Sequence, residues 1–170
     1  MADWAGDVHA ALKAAGIRQV AYVPDAGHAR LIALCGADPG MRLVPLTTEE
    51  EGIGLAAGAW LGGERAVLLM QSSGVGNCIN TLALIETCRF PLLTLVTMRG
   101  EFGEFNPWQV PMGRATPRTL ELADVLVHRA SEAHEVGAVV AGAAQLAFAS
   151  YRAVAVLLSQ QLIGAKSFQK

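Results

Sequence analysis

Three short runs in this chain are apolar almost end to end: RAVLLM at 65–70, PLLTLVT at 91–97 and AVAVLL at 153–158. A strand with one face in water alternates apolar and polar side chains, because successive residues point to opposite sides. A strand apolar at both parities must be covered on both faces. That environment is characteristic of parallel sheets flanked by helices. The stretches between these runs carry helical patterns, so the reading is an α/β domain with an open, mostly parallel sheet covered by helices on both faces.

The rest of the chain follows the same alternation. Helical patterns are expected at 3–15, 30–35, 49–61, 74–89, 120–123 and 132–150. Further strands are expected at 19–23, 42–46 and 125–128. The stretch 99–117 holds three Gly, three Pro and two Phe and reads as the one long irregular segment. A loop of that length is usually functional or ordered by a partner. No linker or repeat interrupts the chain, and residues 1–170 read as one domain.

In an open parallel sheet, ligands sit beyond the carboxyl ends of the strands. The polar, Gly-rich segments 24–28, 47–51, 71–77 and 98–114 all follow strands and would converge there. Hydrophobic residues make up 52% of the chain and charged residues 16%, with a mean hydropathy of +0.36. That balance implies surface covered by a partner. A net charge of −2 argues against a nucleic-acid or membrane-surface role. No apolar run is long enough to span a bilayer, and no signal-peptide pattern is seen. Cys35, Cys78 and Cys88 are scattered, with no CxxC or His/Cys cluster. They read as buried thiols in a reducing cytoplasm, with no metal site.

The segment 47–60, TTEEEGIGLAAGAW, is the most unusual. Acidic residues suit a first helical turn. Gly52, Gly54 and Gly58 each cost roughly 1 kcal/mol against Ala inside a helix. Glu50, Gly54 and Gly58 stand at i, i+4 and i+8, one ridge with almost no side chain beyond its first residue. Such a ridge fits close approach of a backbone or a flat ligand, with one carboxylate delivered into the contact. Glu49 and Glu51 are expected as flanking N-terminal charges.

The turn 71–77, QSSGVGN, joins a strand to a helix but matches neither the P-loop nor the dinucleotide fingerprint. Ser73 lies in no nucleophile elbow. His9, His128 and His134 read as structural or solvated, whereas His28 lies in the first edge loop and is a candidate ligand contact.

Taken together, TTEEEGIGLAAGAWLGG, VLLMQSSGVGN and RGEFGEFNPWQVPMGRAT resemble the α subunits of sulfopyruvate decarboxylase. More broadly they are similar to the pyrimidine-binding (Pyr) domain of thiamine-diphosphate enzymes, phosphonopyruvate decarboxylase included. The resemblance implies a carboxy-lyase in which a Pyr-domain glutamate hydrogen-bonds N1′ of the aminopyrimidine and promotes its imino tautomer. The cofactor is then the electron sink for decarboxylation of a 2-oxo acid. That glutamate precedes an A-A-x-G-Y-like segment, matched by residues 56–60, and this matching also selects Glu50 as catalytic. By the same resemblance, Pro24, Asp25, Gln71, Ser73, Gly74, Gly76 and Asn77 are cofactor-side residues. Arg99, Gln109 and Arg114 are substrate-side residues within the long loop.

The chain departs from the family pattern at Thr48, Ser72 and Met98, where Arg, Asn and His are frequent. It also lacks the GDG…N motif through which the family binds Mg²⁺ and diphosphate. The resemblance therefore implies half an enzyme. A separate β subunit would carry that motif, the cofactor would lie between the chains, and the assembly would be α₂β₂ or larger, with self-association. Sulfopyruvate is the leading substrate. Phosphonopyruvate, another 2-oxo acid, or a non-catalytic partner role stay open.

Overall fold

The structure, a computed structural model, describes residues 3–165. Its elements in chain order are α1 (Trp4–Ala14), β1 (Ile17–Tyr22), α2 (Ala29–Ala37), β2 (Arg42–Pro45), α3 (Glu50–Leu61), β3 (Arg65–Gln71) and α4 (Ser72–Cys78). Then follow α5 (Ala83–Cys88), β4 (Leu92–Thr97), α6 (Gln109–Leu122), β5 (Leu126–Ala130), α7 (Val136–Ser150), β6 (Ala153–Leu158) and α8 (Gln160–Ile163).

All six strands pair in parallel in the order β2-β1-β3-β4-β6-β5. The apolar strands dictate this arrangement. In β3, Val67 and Leu69 face one layer while Leu68 and Met70 face the other, and all four are buried. The first layer holds α1, α2 and α7, and the second holds α3, α4 and α6. Strands β4 and β6 are buried at every residue, as a centre covered on both sides requires.

Two expected elements differ. The helix expected at 74–89 is divided into α4 and α5 by a turn, and Arg89, at φ 52°, closes α5 in the left-handed conformation. The stretch 99–117 is not irregular throughout, because α6 begins at Gln109 and runs through Pro117. Pro111 falls in the first turn, where its missing N–H costs nothing. Pro117 breaks the helical ladder, and tertiary contacts offset that cost. The Thr116 hydroxyl donates to the Ser72 carbonyl at 3.2 Å and to the Met112 carbonyl at 2.8 Å. Gly113 packs so closely on the Arg99 carbonyl that a Cβ there would overlap it.

Cysteine burial also differs from expectation. Cys35 and Cys78 are buried, with both thiols pushed up by desolvation, to about 11 and about 12, while Cys88 is exposed.

Candidate functional site at the carboxyl edge of the sheet

From β1 the chain moves outward to β2, then returns to form β3 on the other side of β1. The carboxyl ends of β1 and β3 therefore flank a topological switch point, where open α/β sheets leave a crevice. Asp25, just past β1, is the hub of this crevice. Its carboxylate accepts from Gln71 Nε2 at 2.9 Å, Thr97 Oγ1 at 2.6 Å and the Gly27 N–H at 3.1 Å. One side chain thus ties together the loops that follow β1, β3 and β4. A carboxylate only accepts, so Gln71 turns its amide nitrogen to Asp25 and its oxygen to the Ser73 hydroxyl, 2.9 Å away. Pro24 and Ser73 are exposed along this rim.

The three glutamates take three different environments. Glu51 reaches back to the Thr47 N–H at 2.8 Å, satisfying a free donor before the helix. Glu50 is exposed, and nothing lies within 4 Å of where a Cβ on Gly54 or Gly58 would stand. The expected small-residue ridge exists and is bare within this chain. Gly52 is the glycine pressed onto the sheet, against Leu68. Glu49 departs from its expected role as a flanking charge. It is 8% exposed, accepts from Asn77 Nδ2 at 2.8 Å, and packs on Gly74 so closely that no side chain fits there.

Two residues expected on the substrate side are drawn inward. His28 is fully buried beneath its loop, with Nε2 3.3 Å from the Met70 carbonyl and 3.2 Å from the Leu95 carbonyl. Both partners are acceptors, so Nε2 carries the proton and the ring bridges β3 and β4, while the buried Nδ1 has no hydrogen-bond partner among the described residues. Burial holds its pKa below the ordinary value of 6.5. Arg99 is also drawn inward, at 8% exposure. Its guanidinium donates through two nitrogens to Glu104, at 2.7 and 2.6 Å. Glu104 further accepts from the Gly100 and Asn106 N–H groups and from Gln160 Nε2. The Arg99 hydrogen bond, aided by these donors, lowers the Glu104 carboxyl to about 2.

Gln109 opens α6, with its Oε1 buried and lacking a hydrogen-bond partner among the described residues. Arg114 lies on the exposed flank of α6, in a shallow groove with Arg118 and Leu122. Gly76 packs near the Met112 sulfur. Positions 72 and 98, where the sequence departs from the family pattern, are interior. Met98 is fully buried, and the Ser72 hydroxyl accepts from the Arg99 N–H at 3.1 Å.

Sequence reasoning missed Thr97, Glu104 and Gln160. Thr97 is the polar end of an apolar strand, a signal that was available. Gln160 lies in the four-residue α8, where the only hint was Ser159, whose side chain caps it. Among the described residues, no group of three His, Cys, Asp or Glu could hold a metal ion, and no helix is long and apolar enough to cross a membrane.

Residues 4–102 match the thiamine pyrophosphate enzyme, N-terminal TPP binding domain, family. The sulfopyruvate decarboxylase subunit alpha of Methanothermobacter thermautotrophicus is 38% identical over 152 residues, covering 89% of this chain and 92% of that protein. Its namesake from Methanococcus maripaludis is 34% identical, with 89% and 91% covered. A phosphonopyruvate decarboxylase of Streptomyces viridochromogenes is 39% identical over 123 residues, 71% of this chain and 31% of that longer protein. Among solved structures, the 2-oxoglutarate:ferredoxin oxidoreductase of Magnetococcus marinus superposes with a TM-score of 0.72 at 16% identity. That match covers 95% of this chain and 29% of the other, and it shows the shared fold. The chain belongs to the thiamine pyrophosphate enzyme family, among the carboxy-lyases whose members include the α subunits of sulfopyruvate decarboxylase.

Proposed function

We infer that this chain is the α subunit of a thiamine-diphosphate-dependent decarboxylase that converts sulfopyruvate to sulfoacetaldehyde and CO₂. Its active site is shared with a separate β subunit. The observation that carries this reading is the exposed Glu50 at the start of α3, followed by the bare ridge of Gly54 and Gly58. Ionised or proton-sharing carboxyls gain most when a ligand nitrogen completes their hydrogen bonding in a dry contact. A ridge without side chains leaves room for a flat ring and a covering chain. Relatives named as subunit alpha support the division of labour.

The residues present fit the pyrimidine half of the cofactor. Glu50 would hold a proton at N1′. Pro24, Asp25, Gln71, Ser73, Gly74, Gly76 and Asn77 would form and support the adjoining wall, with Asp25 fixing the orientation of Gln71 and hence Ser73. The bound cofactor supplies the electron sink. Mg²⁺ and the diphosphate fall to the partner's GDG…N motif, and Gln109 and Arg114 face the substrate side. Residues 1–170 act as one Pyr domain, in the cytoplasm, where the exposed Cys88 stays reduced.

The test is CO₂ release from sulfopyruvate with thiamine diphosphate and Mg²⁺, using this chain alone, the GDG-bearing partner alone, and the mixture. Activity confined to the mixture supports the reading. Turnover of phosphonopyruvate in preference to sulfopyruvate would retain the cofactor and change the substrate. A mixture that binds cofactor without decarboxylating any 2-oxo acid would leave a non-catalytic role.

A further inference from the structure

Gln160 is buried, at 2% exposure, in the four-residue α8 directly after β6. Its own helix does not require this, because Ser159 caps α8 by accepting from the Gln161 N–H. Both ends of the Gln160 amide turn instead to the loop between β4 and α6. Oε1 accepts from the Glu101 and Phe102 N–H groups, each at 3.0 Å, and Nε2 donates to Glu104 at 3.0 Å. Burying an amide is costly unless its polar atoms are paired. Here one loop supplies all three of those partners.

That loop is a closed excursion. It leaves β4 at Arg99 and returns at Gln109, and its two ends touch. Gly100, at φ +77°, lies where a Cβ would overlap the Gln109 carbonyl oxygen and the Val110 Cα. Compact loops whose ends meet are frequently functional. The Arg99–Glu104 pair closes the loop on itself, and Glu101 receives Arg129 from β5 at 2.6 Å. The Arg129 pair is partly in water, where ion pairs hold weakly. The contact that ties residues 101–104 to a neighbouring strand end in a dry environment is therefore the Gln160 amide.

We propose that Gln160 is a positioning residue for the substrate side: it latches residues 101–104 to the end of β6, so that Gly100 stays seated on the first turn of α6 and Gln109 keeps one place at the carboxyl edge of the sheet. The role rests on the reading of Gln109 as a substrate-side group.

The test uses Gln160→Met, which keeps the side-chain length but removes the donor and leaves only a weak acceptor. In the reconstituted mixture, KM and kcat for sulfopyruvate are read separately. Loosening a group that binds substrate and transition state alike raises KM and spares kcat. KM is expected to rise about tenfold, the size of one well-made hydrogen bond, with kcat within about threefold of wild type. In the full chain without partner, hydrogen exchange of the Glu101 and Phe102 amides is expected to speed up while the β6 amides at 154–158 stay protected. Gln160→Lys carries the same test if Gln160→Met does not fold. It keeps a donor for Glu104 but has no acceptor for the two amides, so the same rise in KM and faster exchange are expected.

Unchanged exchange at 101 and 102 would overturn the latch, and unchanged KM with faster exchange would overturn its positioning role. The wild-type mixture separates these failures from that of the functional reading. If it decarboxylates no 2-oxo acid, that reading fails and the positioning role falls with it, while the exchange measurement still decides the latch.

Discussion

The Asp25 carboxylate accepts a 2.9 Å hydrogen bond from the side-chain amide of Gln71, joining the ends of β1 and β3 across the switch point of the sheet. The same carboxylate receives the Thr97 hydroxyl from the end of β4. Asp25→Ala would strand the Gln71 amide and the Gly27 N–H, and would leave the Thr97 hydroxyl only the Met70 carbonyl at 3.4 Å. Leaving part-buried donors without partners costs about 1–3 kcal/mol. Urea denaturation is expected to show a loss in that range, and unchanged stability would mean that water or a neighbour replaces the carboxylate. In the mixture, the variant should also lose decarboxylation, because Gln71 and Ser73 no longer have a fixed orientation.

Glycines on α3 and α6 should respond in opposite ways. A Cβ at position 58 meets nothing within 4 Å in this chain, whereas one at 113 overlaps the Arg99 carbonyl. Gly58→Ala is therefore expected to stabilise the isolated chain by up to about 1 kcal/mol through helix propensity. Gly113→Ala should destabilise it by about 1–3 kcal/mol. If the bare ridge is the covered face, Gly58→Ala also weakens association with the partner. Sedimentation of the mixture would detect this, and undiminished assembly would place the interface elsewhere.

Acid should act first through His28. Its folded pKa lies below the ordinary 6.5 because the ring is desolvated, so the unfolded chain takes up the proton first. Its contribution to stability is complete above about pH 6.5 and is lost as pH falls below that value. Denaturation midpoints between pH 7.5 and 5 should decline for the wild type and decline less for His28→Leu, whatever the variant's overall stability. Parallel profiles would contradict a buried neutral imidazole.

A second acid-sensitive step belongs to Glu104. Its carboxyl lies at about 2 in the folded chain against an ordinary 4.5, chiefly because of Arg99. A depressed carboxyl stabilises above its unfolded pKa and loses that contribution as pH falls from about 4.5 towards 2. The stability gap between wild type and Glu104→Gln should be widest near neutrality and narrow through this window. A gap independent of pH would mean that the effect of Glu104 is packing alone.

Much of the fold was legible because the apolar strands, 65–70, 91–97 and 153–158 in the sequence, admit few other environments. The site edge followed from strand order once loops of polar and small residues were seen to follow strands. What stayed hidden depended on three-dimensional partners. His28 lies in an edge loop in sequence but points beneath it, to carbonyls 42 and 67 residues away. Arg99 was placed on the substrate side by resemblance, and nothing in the sequence showed that Glu104, five residues on, pairs with its guanidinium. Pro117 signalled irregular chain, and the contacts of Thr116 and Gly113 override that local signal. Of the three consecutive glutamates, periodicity separated Glu50 from its neighbours. It gave no hint that Glu49 turns inward, because that depends on the space left by Gly74.

If the exposed carboxyl of Glu50 serves the cofactor across a subunit boundary, its loss must show in turnover. Steady-state CO₂ release by wild-type and Glu50→Gln chains, each saturated with the partner, thiamine diphosphate and Mg²⁺, tests it most directly. The kcat of Glu50→Gln is expected to fall by at least about a hundredfold, as loss of acid–base catalysis entails. Fold and assembly with the partner should be retained. Turnover within about twofold of wild type, well inside the range that acid–base loss should exceed, would contradict it.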